Sequence, residues 1–398
     1  MKICFLSYTF WPPDFGGGLL HTIERLENIV RCGNSVTACT SGAQGFPRKA
    51  MVNGIFVLRS RFNRKVNKIQ KAIHQLEFFL WALLQLATQY YEVIQIGSLP
   101  GYNETTAMLC GIFFSFIAHL KKARIVHLYS LAETENNAIV FSGLKGKIKK
   151  KFFDGIDDIV VNSPALYQEM VKVFPYSVRL IINGVKDDVF LPDGEKRLEE
   201  RCKNQVLNGE VVFTFLGSIC RRKGVDVLLD AFLELYKVNP HWKLWLIGPY
   251  DQKENQNLDH GDSDLIDHAR QCKGVVLWGR INDREKLSGL LNASDIFVFP
   301  TRREGMPMAP LQAMSVGIPI IISKIHGVTD LANIEGETGF YIQPGDKEGL
   351  KTAMLKLAED PALRETMGRK ARQRIVDQFS WRKHVDRWEQ LYLGNLHE

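Results

Sequence analysis

No C-x-x-C pair occurs in the 398 residues, and the seven cysteines (Cys4, Cys32, Cys39, Cys110, Cys202, Cys220, Cys272) show no zinc-ligand spacing. A disulfide scaffold and a structural zinc site are thereby excluded as organising devices, and reduced thiols of a cytosolic protein are expected. Neither G-x-G-x-x-G nor G-x-x-x-x-G-K-[ST] is present, which argues against an NAD-binding fingerprint and a P-loop. Long apolar runs are missing too. The most apolar stretch, Ala107 to Leu120, is about fourteen residues, short of the ~20 that span a bilayer, and reads as a buried core helix. The chain opens on a strand, Ile3 to Ser7, and not on a charged region with a cleavable apolar run, so no export signal is expected. His21, His74, His119, His127, His260, His268 and His326 form no metal spacing and no triad. Of these, His326 before Gly327 is the one expected near a ligand.

Acidic residues are absent between Glu27 and Glu77, where Arg59, Arg61, Arg64, Lys65, Lys68 and Lys71 cluster. Residues 1–190 hold 22 basic against 14 acidic side chains, while the whole chain is +7, so the basic excess lies wholly in the N-terminal half. A second run, Lys145, Lys147, Lys149, Lys150 and Lys151, leads into Phe152 and Phe153. Basic residues beside aromatic stretches such as Phe78, Phe79 and Trp81 suit an anionic membrane surface, at about 1 kcal/mol per charge. Nucleic acid would answer the same field, but no nucleic-acid module accompanies it, and none is expected as a partner. A solvated helix face is the plainer alternative. The expected location is cytoplasmic, with a possible peripheral position on the cytoplasmic face of a membrane.

What is present is alternation. Short apolar runs at Ile3–Ser7, Ser35–Cys39, Val93–Ile96, Ile125–Leu128, Ile159–Asn162 and Leu180–Ile182 are separated by helical material. That pattern predicts a doubly wound parallel sheet. From Leu191 to Glu210 it gives way to polar, turn-rich sequence, read as a linker over 191–209. A second alternation follows at Val211–Leu216, Leu244–Ile247, Val275–Leu277, Ile296–Phe299 and Ile318–Ile322. The length suits two domains: 1–190 on one side, 210–377 on the other, with a C-terminal helix (about 378–398) returning to the first. Two such α/β domains are expected to face each other across a cleft.

The stretch Thr301 to Gly317, T-R-R-E-G-M-P-M-A-P-L-Q-A-M-S-V-G, lies between two strand runs. It reads as a polar loop and then a helix, Met308 to Val316, ended by Gly317. In an open parallel sheet, ligands bind outside the carboxyl ends of the strands. A helix start there offers N–H groups and partial positive charge to a phosphate. Glu304 beside a phosphate site calls for a reason, and a carboxylate that accepts from sugar hydroxyls supplies one. Gln312, eight residues on, could donate to and accept from a ribose diol. An ordinary surface Arg/Glu loop is the alternative.

The loop Gly217 to Gly224, G-S-I-C-R-R-K-G, follows the first strand of the second domain. Arg222 and Lys223 would bring charge to a diphosphate, or form an ordinary basic turn. Asp262-Ser263-Asp264 is a D-x-D, but its position before a helix reads better as a cap, and no metal is expected.

Together these residues resemble the retaining glycosyltransferases of the group-one, or family-four, type, whose two-Rossmann-domain architecture is called GT-B. The likeness covers nearly the whole chain. The loop W-P-P-D-F-G-G-G, with Gly16, Gly17 and Gly18, resembles the family's acceptor-side loop. Asn183-Gly184-Val185 followed by Phe190 matches its N-G-V-x-x-x-x-F, and Phe379-Ser380-Trp381 its C-terminal ending. Lys223-Gly224 sits at its diphosphate lysine, and the segment around Glu304 at its E-x7-E signature. The resemblance implies a nucleotide-sugar donor, a glycan or lipid-linked acceptor, and no cofactor. It places Glu304, Lys223 and Arg222 in the catalytic centre, Gly305, Met308, Gln312, Ser218 and Arg221 around the donor, and Tyr129 on the acceptor side. The chain departs from the pattern in four places. Gln312 replaces the second Glu, and Ser218 stands where many members carry an Arg on the diphosphate, a role left to Arg221 or Arg222. Tyr129 falls near a usual His, and Pro307 removes a backbone donor from the helix start. A non-catalytic sugar-nucleotide scaffold, or an epimerase or phosphorylase on the same architecture, are the rival readings.

Overall fold

The computed structural model describes residues 1–10, 17–63, 68–99, 104–129, 143–250 and 262–396. They fall into two compact units, Met1–Ile181 with Val385–Glu398, and Ile182–His384.

The first unit is built on an eight-stranded sheet: β1 (Lys2–Leu6), β2 (Ser35–Gly42), β3 (Lys49–Val52), β4 (Ile55–Asn63), β5 (Val93–Ile96), β6 (Arg124–Tyr129), β7 (Asp158–Val161) and β8 (Val178–Leu180). Its order is β3-β4-β2-β1-β5-β6-β7-β8, and every pairing is parallel except β3 with β4. Strands β5 and β7 are buried along their whole length, as expected of a parallel sheet covered on both faces. The β3–β4 hairpin is additional to the expected alternation. Asn53 and Gly54 turn it with φ of 47° and 82°, the left-handed pair that a tight hairpin requires.

Helices α1 (Gly17–Arg31), α2 (Lys68–Thr88), α3 (Glu104–Leu120), α4 (Gly143–Asp154) and α5 (Pro164–Val171) connect these strands. The apolar segment expected as a buried core helix is α3. It buries Met108, Gly111, Phe114 and Ala118 but leaves Leu109, Phe113, Phe116 and Leu120 exposed, so only one side of it is core. Among the described residues no helix is long and apolar enough to cross a membrane.

The second unit carries six parallel strands: β9 (Val212–Leu216), β10 (Lys243–Ile247), β11 (Val275–Gly279), β12 (Ile296–Phe299), β13 (Ile320–Ser323) and β14 (Gly339–Ile342). They are ordered β11-β10-β9-β12-β13-β14. The chain winds outward from β9 to β11, then crosses back to β12 and winds the other way, as in a dinucleotide-binding fold.

Its helices are α6 (Gly194–Lys203), α7 (Val225–Val238), α8 (Ser263–Arg270), α9 (Arg284–Ala293), α10 (Met308–Ser315), α11 (Lys347–Glu359), α12 (Pro361–Arg374) and the first turn of α13 (Trp381–Leu393). The stretch 191–209, read as a linker, belongs to this unit and contains α6. That helix buries none of its residues, so no apolar periodicity betrayed it. Capping and charge hold it instead. Asp193 accepts from the Lys196 N–H at 2.9 Å, and Arg197 and Arg201 reach Asp295 at 2.6 and 3.0 Å. The division falls at Ile181/Ile182, ahead of residue 190, and the return to the first unit comes at Val385.

In the first unit the later turns of α13 are locked by polar contacts. The Arg25 guanidinium lies 3.4 Å from the Trp388 ring centroid and donates to Gln95 Oε1 at 3.0 Å. The Tyr392 hydroxyl donates to the same oxygen, and Arg124 donates to the Leu391 carbonyl. Burial lowers the pKa of Arg25 and raises that of Tyr392.

Candidate active site

Strands β9 and β12 are neighbours at the point where the strand order of the second unit reverses, and both expected site loops leave their carboxyl ends. Two glycines let the backbones close up there. Gly248 has φ +144°, and a Cβ on it would lie 2.0 Å from the Gly217 carbonyl oxygen. Gly224 has φ +72°, and its Cβ would lie 1.9 Å from the Pro300 carbonyl oxygen. Gly224 ends the short 3-10 turn Arg221–Lys223 and starts α7. The turn is thus pressed against the β12 loop, where the Arg302 N–H donates to the Arg222 carbonyl at 3.0 Å.

Lys223 and Glu304 meet directly. The Lys223 ammonium donates to Glu304 Oε1, and the Thr301 hydroxyl donates to the same oxygen at 3.0 Å. Arg222 Nη1 lies 4.0 Å from it and donates to the Arg303 carbonyl at 3.3 Å. All these contacts fall on Oε1, which leaves Oε2 to accept from a ligand. The side chains of Lys223 and Glu304 are only 14% and 9% exposed, whereas Arg222 is 48% exposed. Two cations thus surround one carboxylate, an arrangement that can hold both an anion and a hydroxyl. Arg302 is committed to structure. It grips Asp226 with two bonds of 2.7 Å. Burial pushes the Asp226 carboxyl up, but the Arg302 contact outweighs it and the net shift is downward.

Arg221 sits otherwise than expected. Its backbone N–H donates to Asp262 at 2.9 Å and its guanidinium pairs with Asp264, so both acids of the D-x-D are engaged by Arg221, one through a neutral amide and one through charge. Asp262 occupies the cap position of α8 without a side-chain capping bond, because that carboxylate is spent on Arg221. Ser218 is half-buried in the first loop, and Gly305, Met308 and Gln312 are half-buried in the second loop and along α10. Pro307 caps α10 without a side-chain bond, and Pro310 lies in its first turn. Met308 and Ala309 are therefore the backbone donors left at the tip. Asn183 contributes from the N-G-V segment: its amide donates to the Met306 carbonyl at 3.1 Å. His326 is 93% exposed and pairs with Asp330 at 3.1 Å.

In the first unit, Gly16 lies outside the described residues. Gly17 and Gly18 open α1, and a Cβ on Gly18 would meet nothing within 4 Å. Tyr129 ends β6, edge-on to Phe153 at 5.1 Å with the Lys149 ammonium 5.5 Å from its ring centroid. The neighbouring His127 is half-buried, desolvation lowers its pKa, and it contacts the Ile96 carbonyl at 3.0 Å. A hydroxyl cluster stands where this sheet reverses between β1 and β5: Ser98 Oγ lies 2.8 Å from both Ser7 Oγ and Thr9 Oγ1. Single hydroxyl residues scattered over two loops leave no pattern in a sequence, so this cluster had no signal to find it by.

Residues 196–374 match the family model described as glycosyl transferases group 1. The chain is 30% identical over 216 residues to the capsular polysaccharide biosynthesis glycosyltransferase CapM of Staphylococcus aureus, covering 54% of each. It is 31% identical over 228 residues to the UDP-Gal:alpha-D-GlcNAc-diphosphoundecaprenol alpha-1,3-galactosyltransferase of Escherichia coli, covering 56% of this chain and 55% of that one. The alignments thus span about half the length of these curated relatives. The solved structure of Anabaena HepE in complex with UDP-glucose superposes with a TM-score of 0.73 at 18% identity, over 100% of both chains. Two parallel-sheet α/β units of this kind constitute the GT-B fold. The family model covers the very loops that join Lys223 to Glu304, so it is over residues 196–374 that the chain is similar to the group 1 glycosyl transferases.

Proposed function

We propose that the chain transfers a sugar from a nucleotide-diphosphate donor to a glycan or lipid-linked acceptor, with retention of anomeric configuration and without a metal. The observation that carries this reading is the convergence of Lys223, Arg222 and Glu304 at the strand reversal between β9 and β12. Lys223 and Arg222 stabilise the charge that grows on the departing diphosphate. Glu304 accepts from sugar hydroxyls through Oε2, and Gln312 serves the ribose in place of a carboxylate. The anomeric C–O bond to the phosphate breaks, the bond to the acceptor oxygen forms on the same face, and the acceptor proton passes to the leaving phosphate oxygen.

The names of the relatives support the substrate classes. The Escherichia coli relative is named for a UDP-sugar and a diphospholipid acceptor, CapM for a capsular polysaccharide, and HepE is solved with UDP-glucose. Metal independence rests on the D-x-D, whose two carboxylates hold Arg221. A screen of UDP-, GDP- and ADP-sugars by thermal shift, followed by NMR of the product anomer, tests the proposal. Transfer with retention, unaffected by a chelator, is the expected result. Inversion, or loss of turnover with the chelator, overturns it. Pro307, Pro310 and Gln312 thin out the donor grip and favour one rival, a sugar-nucleotide scaffold without catalysis. Donor binding with no transfer would establish that rival.

A further inference from the structure

Helix α2 turns an uncharged face outward. Ile73, Leu76, Leu80 and Leu84 recur at helical spacing on it, and from Ala72 to Thr88 no exposed position is charged. The acid of α2, Glu77, is half-buried and accepts the Arg61 N–H at 2.8 Å. On α3, Leu109, Phe113, Phe116 and Leu120 form the same kind of stripe. All eight side chains are between 40% and 65% exposed, too large a set to be incidental. The two stripes adjoin, because Phe79 of α2 packs on Phe113 and Phe114 at ring distances of 5.9 and 5.4 Å.

The rim of this face carries an excess of lysine. Lys121 and Lys122 follow Leu120, and α4, packed on the other side of α3, exposes Lys145, Lys147 and Lys151 beside Leu144. None of these five lysines has a carboxylate partner among the described residues. Nearby acids are already engaged: Glu104 with Lys149, Asp154 with Lys150, and Asp157 with His119. A protein partner of ordinary composition meets a rim of mixed polarity. An apolar strip edged by lysines, with the neighbouring acids already paired, matches acyl chains beneath anionic headgroups.

We infer that α2, α3 and α4 of the first unit form a docking surface for an anionic lipid bilayer. Leucine and phenylalanine side chains enter the headgroup boundary while the lysines sit among phosphates. The surface deepens the reading of a lipid-linked acceptor, but it is tested without donor or acceptor, so the two can fail separately.

The test is flotation of the full chain with vesicles of phosphatidylcholine, alone or with about one-third phosphatidylglycerol. The chain is expected to float with the anionic vesicles and to be released by high salt. Each lysine removed should weaken partitioning about fivefold, so Lys145→Glu with Lys147→Glu should weaken it by about 25-fold or more. Leu80→Glu with Phe116→Glu should abolish it, with an unchanged thermal midpoint, since both side chains are exposed. Wild-type protein that stays with the unbound fraction, or a Leu80/Phe116 variant that floats like wild type, overturns the inference. So does a concentration-dependent dimer that the same variant dissolves without any flotation, which would make the face an interface between copies.

Discussion

Lys223 and Glu304 are 81 residues apart in sequence and bonded in space, and each needs the other only while no ligand competes. Replacing Lys223 by Ala removes a buried cation from the departing charge and should lower turnover about 10²-fold. Glu304 keeps Thr301 and Arg222 nearby, so circular dichroism should report an intact fold. Wild-type turnover in that variant would remove Lys223 from the mechanism. Gly224 is the other residue on which the site depends. Gly224→Ala meets the Pro300 carbonyl oxygen and adds left-handed strain of about 1–2 kcal/mol. The expected result is a lower unfolding midpoint together with weakened binding of the sugar nucleotide that the screen identifies, read in the same thermal-shift experiment. At this scale the sequence was informative for Lys223, Gly224, Glu304 and Gln312, whose spacing carries a motif. It assigned Arg221 to the donor and could not foresee its pairing with the D-x-D, because nothing in a linear reading brings Asp262, 41 positions away, to its backbone.

Among the elements, the strands were legible wherever both faces are buried, since β12 is wholly apolar and β5, β7 and β13 carry one polar residue each. Helix α6 and strand β3 were not, because neither has a buried side to impose a period. Asn53-Gly54 did carry the hairpin signal, and its flanks were too mixed to read as strands. The contact between the start of α7 and the β12 loop is fastened by Arg302 and Asp226, and that pair gives a pH prediction. The Asp226 carboxyl is held below its ordinary 3.8. Its stabilising contribution is therefore complete above 3.8 and is lost as the pH falls through the lower folded-state value. Urea midpoints of wild type and Asp226→Asn should differ most near neutrality and converge in acid. A gap that widened on acidification would contradict the assignment.

At the level of the whole molecule, two separate apolar cores correspond to the two units. The alternation in the sequence foretold two doubly wound sheets, but not β3, β4 or β14, nor the order of the strands. The division between the units was less legible, since α13 starts in one and ends in the other and periodicity does not respect that boundary. Trp388 lies in the first core at 1% exposure under Arg25. Trp388→Ala should cost about 3–5 kcal/mol. Because the loss falls on the first unit, the response of the second to the sugar nucleotide that the screen identifies should survive, with a lowered denaturation midpoint as the readout.

The placement of α13 also bears on synthesis. A ribosome releases the first sheet long before it releases Val385, so Arg25 and Gln95 emerge without the Trp388 and Tyr392 that cover them. The domain translated first is the one completed last. Its nascent form should bind chaperones until the closing helix arrives, and a stop codon ahead of Val385 should yield chains that are degraded although the entire second sheet is present.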